Sequence, residues 1–256
     1  MRAAGSGERA GPADPSAGSA SPAGARSVAA WDLPTRLFKW TLVTLVLLSW
    51  ATQAAGDRWL GLHIQLGHAV LILLVFRLLW GLVGSSTARF ASWVAWPWNA
   101  VSYGAQLVRG RGRPYLGHNP LGGWMIILLL AFVAAQGVTG LFTADNNGLS
   151  GGPFANLDFG DPTPIQRAFG AWHHLAFNLL LGLIAIHVFT NLFYEAAKGD
   201  PVISAMVTGR KPAEPFADEP EMVAPPRLWL RAGLCLVAAA ALVLGTVKAF
   251  GGKLPF

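Results

Sequence analysis

Long apolar runs alternate along this chain with short stretches where arginine, lysine, proline and glycine gather. A helix needs about 20 mostly apolar residues, at about 1.5 Å of rise each, to cross about 30 Å of hydrocarbon. Five stretches meet that requirement: residues 37–55, 60–83, 122–142, 169–193 and 228–250. The pattern predicts an all-α integral membrane protein with a four-helix transmembrane bundle and a fifth, C-terminal transmembrane helix. Residues 1–29 are Ala, Gly, Ser and Pro with scattered Arg. They cannot bury a core and lack the apolar stretch of a signal peptide, so a disordered tail is expected. Residues 30–212 then hold the four-helix domain, and 213–256 a linker and the last helix. In the connection from 84 to 119, residues 90–98 followed by 100–109 suit a helix lying in the membrane interface.

Composition agrees with the pattern. Of 256 residues 53% are hydrophobic and 12% charged, against about 25% charged in a soluble globular domain. A soluble enzyme is excluded on that ground. The net charge of +6 would suggest nucleic acid in a polar chain. Here all but four of the 19 Lys and Arg residues fall on the side of the N-terminus, the four being Arg58, Arg167, Lys248 and Lys253. Positive residues near span ends stay in the cytoplasm, so the N-terminus is expected inside and the C-terminus outside, with membrane lipid rather than nucleic acid as partner. The outer loop 144–168 carries Asp145, Asp158 and Asp161 beside Asn146-Asn147-Gly148 and Gly151-Gly152-Pro153, and is long enough to cover a site or dock a partner. The single cysteine, Cys235, excludes an internal disulfide, a C-x-x-C-H haem attachment and a thiolate zinc site. A metal would fall to the six histidines.

Ionisable residues inside spans are costly and are functional candidates by default. His63 and His68 stand in the second span, His173, His174 and His187 in the fourth. His173 and His187 are 14 residues apart, within about 40° of four whole turns and separated by about 21 Å of rise. They share one helix face near opposite membrane surfaces. That geometry suits two stacked haems between the helices of a bundle, one per leaflet. His174 points nearly away from that face. The outer partner of His173 should come from the second span, where His63 and His68 lie about 140° apart, so one of the two faces it. Arg77 is also 14 residues from His63, and either pairs a haem propionate at the inner depth or ends the span at the interface. The residues alone leave a rival open: a haem-free membrane transporter or assembly protein using histidines as proton relays. Near-absence of acidic residues from the spans weighs against it. Trp31, Trp93, Trp96 and Trp98 read as interface belts.

Several segments resemble the bacterial cytochrome b561 and nickel-iron hydrogenase b-type cytochrome family. They are Trp31-Asp32-Leu33-Pro34-Thr35-Arg36-Leu37-Phe38, Leu62-His63-Ile64-Gln65-Leu66-Gly67 with Phe76-Arg77-Leu78-Leu79-Trp80, Tyr115-Leu116-Gly117-His118-Asn119-Pro120-Leu121-Gly122-Gly123, and the His173 to His187 pair. The resemblance runs from about Trp31 to Lys211. It implies two b haems held by one His on the first helix, one on the second and two on the fourth. Carried over, His63 and His173 would ligate the outer haem and His187 the inner one. His68 and His174 stand where the family often has another residue.

One position departs from that pattern. Lys39 occupies the place of the first-helix His, the implied partner of His187. A neutral lysine amine can ligate iron, but lysine is normally protonated near pH 7. Three arrangements follow: joint ligation by Lys39 and His187, a five-coordinate iron on His187, or no inner haem. His118 would then be a substitute ligand, a proton acceptor in quinone chemistry, or part of the start of the third span, where Asn119 can cap and Pro120 suits the first turn. The resemblance implies a multi-pass protein of the bacterial inner membrane that carries electrons between the quinone pool and a periplasmic cytochrome c or oxidoreductase subunit. It would be a subunit of a respiratory oxidoreductase rather than a stand-alone enzyme, with quinone approaching near His187, Lys39 and His118.

Overall fold

The computed structural model describes residues 26–144, 151–155 and 163–252. The tail up to residue 25, most of the acidic outer loop (Asp145, Asn146, Asn147, Gly148, Asp158 and Asp161) and Lys253 lie outside the described residues. A short strand β1 (Ser27–Ala29) leads into α1 (Leu33–Ala54), and a single 3₁₀ turn, Asp57–Trp59, leads into α2 (Leu60–Val83). Two shorter helices, α3 (Phe90–Trp93) and α4 (Pro97–Val108), precede α5 (Pro120–Phe142) and α6 (Pro164–Phe193). The chain then passes a π-helical turn, Tyr194–Lys198, α7 (Val202–Thr208), β2 (Arg210–Pro212) and α8 (Leu228–Ala249). Among the described residues five helices are long and apolar enough to span a membrane, at the places the hydrophobic pattern predicts.

Three spans, α1, α5 and α6, begin earlier than their apolar runs because each opens on a side-chain cap. The Asp32 carboxylate accepts from the Thr35 amide at 2.6 Å, and Asn119 accepts from Gly122 at 2.8 Å. At the start of α6, Thr163 and Gln166 form a reciprocal capping box ahead of Pro164. Each satisfies backbone donors that a helix start leaves orphaned. The expected interfacial helix is two pieces, α3 and α4, broken at 94–96.

The central helix is α2, buried along most of its length and packed on α1, α5 and α8, while α5 packs on α6. One core joins Val70 and Leu74 of α2 to Val133 of α5 and Leu180 of α6. A second joins Phe38, Phe76 and Trp80 to Ala232, Cys235 and Ala239 of α8. The sequence suggests Gly233 and Gly245 for close approach of the fifth helix. A Cβ at either would meet nothing within 4 Å, and the approach is made by the small residues Ala232, Cys235 and Ala239 instead.

A small cap covers the end of the bundle where α1 begins, here called the N-side. β1 and β2 pair antiparallel with Val28 opposite Lys211, over a core of Val28, Ala30, Trp31, Leu116, Ala205 and Met206. Residues 27–29 are therefore ordered as a strand, not part of a disordered tail. Nor are residues 213–227 a free linker. The Asp218 carboxylate accepts from the Leu116 and Gly117 amides at 2.8 and 2.9 Å, the Met222 amide donates to the Ala29 carbonyl at 2.8 Å, and Ser86 and Val223 bond reciprocally. Buried Lys211 pairs with Asp200 at 2.7 Å and donates to the Tyr115 carbonyl at 3.0 Å.

Candidate haem-binding site

At the end of the bundle away from the cap, His63 of α2 and His173 of α6 face each other, ring centres 6.3 Å apart and planes at 84°. Each ring is fixed through Nδ1. His63 donates to the Ser49 carbonyl at 2.9 Å, with Thr52 Oγ1 at 3.3 Å. His173 donates to the Gln136 carbonyl at 3.0 Å, with Thr139 Oγ1 at 3.2 Å. A proton on Nδ1 leaves Nε2 as the acceptor, which is the form a metal ligand requires and the usual orienting device for one. All four bundle helices contribute: α2 and α6 the imidazoles, α1 and α5 the carbonyls and hydroxyls that aim them. Gly140 completes the seat, since a Cβ there would stand 3.0 Å from His173 Cε1.

These residues fit haem. Metal–imidazole bonds of about 2 Å on either side of one ion, plus the distance from nitrogen to ring centre, span about 6 Å, the separation observed. Among the described residues no three His, Cys, Asp or Glu side chains converge on one point. Two axial imidazoles are what an iron needs when a macrocycle fills its other positions. The lone pair of His173 Nε2 is met by the Gln136 side-chain amide at 3.0 Å. That amide's own Oε1 is buried without a partner, so it is a poorly satisfied group that iron can displace.

The other histidines of these spans are not brought into the pair. His174 is exposed and lies beside His173 with ring centres 6.3 Å apart. His68 is buried and donates from Nδ1 to the Ile64 carbonyl at 2.8 Å. It sits on the stripe that continues through Ile72 and Phe76 toward α1 and α8, and its Nε2 has no partner.

At the N-side depth the grouping is looser. His187 Nε2 accepts from the Asn191 amide one turn away at 3.0 Å. The Lys39 ammonium lies 5.9 Å from the Trp40 ring centre, and among the described residues no hydrogen bond joins it to His187. Arg77 is buried, its guanidinium 4.9 Å from the Phe90 ring centre and 5.7 Å from that of Trp93. It therefore does not simply end the span at a wet interface. Gly81 lets α3 approach so closely that a Cβ there would overlap the Phe90 ring.

His118 is wedged between Trp31 and Trp93, 4.9 Å from each ring centre. Burial, then the charges of Arg77, Lys39, His187 and Lys211, push its pKa down to about 3. Trp96 and Trp98 are exposed, as belt residues should be, but Trp31 and Trp93 are buried. Their rings pack on His118 under the cap rather than facing lipid.

Sequence reasoning missed the residues that aim the ligands: Ser49, Thr52, Gln136, Thr139 and Gly140. Thr52, Thr139 and Gly140 left a signal as hydroxyl or small side chains facing the bundle on otherwise apolar helices, whereas the aiming carbonyls of Ser49 and Gln136 left none.

A family profile described as prokaryotic cytochrome b561 matches residues 30–209. The chain is also 26% identical over 212 residues to a probable Ni/Fe-hydrogenase B-type cytochrome subunit of Azotobacter chroococcum mcd 1, covering 72% of this chain and 88% of that protein. The match contains every candidate histidine on both faces of the bundle. With the haem fit of the His63–His173 pair, it identifies the chain as a member of the prokaryotic cytochrome b561 family, a multi-pass membrane electron-transfer protein that carries haem b.

Proposed function

We propose that the protein carries electrons between the quinone pool and a redox partner on the periplasmic face of the bacterial inner membrane, a cytochrome c or an oxidoreductase subunit. The observation that carries the reading is the facing His63–His173 pair, ring centres 6.3 Å apart, each imidazole anchored through Nδ1 so that Nε2 is left as the acceptor. In this reading His63 and His173 would hold the outer haem between α2 and α6. His187 holds an inner haem with Lys39 as its partner on α1, and Arg77 faces a propionate. Haem supplies one-electron chemistry when bound; the protein supplies ligands, burial and orientation. His173 and His187 stand about 21 Å apart along α6, a separation that supports two sites in opposite leaflets. The charge partition along the chain supports a cytoplasmic N-terminus and a periplasmic C-terminus. Residues 30–212 form the cytochrome domain, and the last helix is a contact or anchoring element. The hydrogenase-subunit name of the relative from Azotobacter chroococcum supports a partner oxidoreductase.

Quinone exchange belongs to the inner side, near His187, Lys39 and His118. The test is anaerobic reduction of the purified, lipid-reconstituted protein by a short-chain quinol, followed at the b-type α band. His187→Ala is expected to slow reduction at least ten-fold, and Lys39→His to raise or preserve the haem-to-protein ratio. Unchanged quinol kinetics in His187→Ala would place exchange at the outer side and refute the inner route.

A further inference from the structure

We propose that Arg77, Trp93 and His118 form a receptor for one carboxylate beneath α3, and that its occupant is a propionate of haem b bound at the N-side. The proposal rests on the haem reading above and deepens it by assigning two further residues to the cofactor. Three buried polar atoms have no partner here: Arg77 Nη1, Trp93 Nε1 and His118 Nδ1. They gather around one ring, with the guanidinium 5.7 Å from the centre of Trp93 and the His118 ring 4.9 Å from it. Arg77 is 3% exposed and Trp93 5%.

The chemistry of the three atoms selects the ligand. Guanidinium and indole N–H groups can only donate, and an imidazole can donate from Nδ1. A buried guanidinium without a counter-ion is costly, and the one ion pair among the described residues, Lys211–Asp200, does not involve it. Asp32 is the one carboxylate whose charge acts on the guanidinium, but it makes no ion pair with it, and its oxygens accept from the Thr35 amide, the Trp80 indole and the Ser85 hydroxyl. The ligand must therefore bring a negative charge and several acceptor lone pairs, which a carboxylate does with two oxygens. Depth points to its source. Arg77 lies 14 residues from His63, and His187 lies 14 from His173; because His63 and His173 are level, Arg77 and His187 are level too, about 21 Å nearer the cap. Arg77, Lys39 and His187 all lie close enough to His118 for their charges to act on it, which puts the receptor beside the residues assigned to the inner haem.

The full-length protein, stripped of haem in detergent, would be reloaded with haem b or with its dimethyl ester, whose propionates carry no charge. Affinity and haem-to-protein ratio would be read spectroscopically for wild type, Arg77→Gln, Arg77→Lys and Trp93→Phe. Wild type is expected to prefer the free acid by roughly ten-fold or more at its N-side site, the scale of a charge-assisted hydrogen bond. Arg77→Gln should abolish that preference and Trp93→Phe, which removes only the indole N–H, should reduce it, while Arg77→Lys retains part of it. Equal loading of acid and ester by wild type would overturn the proposal. So would a preference unchanged in both Arg77→Gln and Trp93→Phe, or variants that alter only binding of a quinone analogue. Failure of every form to take up haem would instead refute the haem reading on which the proposal stands.

Discussion

Single polar atoms inside an apolar protein decide most of what this chain can do, because each must find a partner or cost free energy. Asp32 shows the structural side. Its carboxylate caps α1 and binds the Trp80 indole and the Ser85 hydroxyl of the next span's end. Asp32→Ala would leave those buried donors unsatisfied, at a cost of about 1–3 kcal/mol, and should lower the thermal unfolding midpoint in detergent; a midpoint equal to wild type would contradict this. His118 shows the electrostatic side. Its folded pKa of about 3 lies below the ordinary 6.5, so between those values the unfolded chain binds a proton that the folded chain refuses. Its contribution is whole above about pH 6.5 and is lost progressively as pH falls toward 3, by up to about 1.4 kcal/mol per pH unit. His118→Asn should flatten the acid limb of a stability-against-pH curve measured beside wild type; parallel limbs would show that His118 does not carry it.

The helices as units were legible from the chain because a span of about 20 apolar residues has few other interpretations. Their ends were less so, since caps such as Thr163–Gln166 consist of polar residues outside the apolar run. The structure faces His173 with His63; the spacing alone left His63 and His68 open, and it was the resemblance that implied His63. What the spacing did not contain was the contribution of the neighbouring helices. Ser49 and Gln136 act through backbone carbonyls, which no side-chain motif can signal. Trp31 and Trp93 were indistinguishable from belt tryptophans until the fold buried them, for the same amphipathic ring serves both purposes. At this scale α5 is a seat for His173: Gly140→Ala would bring a methyl to 3.0 Å from the imidazole. That variant should keep haem but shift the low-spin electron paramagnetic resonance signal of the outer site, while Gly140→Leu should lose that haem.

As a whole, the molecule is a bundle open to lipid on most of its circumference and sealed at one end by a cap woven from distant parts of the chain. Residues 27–31, 85–88, 115–118, 205–212 and 216–223 meet there, so the last helix is tied to the cytochrome domain through more than a linker. The orientation proposed from the charge partition puts that capped end in the cytoplasm. A reporter active only in the periplasm should therefore work when fused after Phe256 and fail when fused before Arg26; the reverse pattern would invert the topology. The central claim, that His63 and His173 together hold a b haem, is tested most directly by the reduced-minus-oxidised spectrum and haem-to-protein ratio of the purified protein beside His63→Ala and His173→Ala. A b-type α band in wild type, with the same haem lost from both variants, is the predicted result; no such band, or one that neither substitution diminishes, would contradict it.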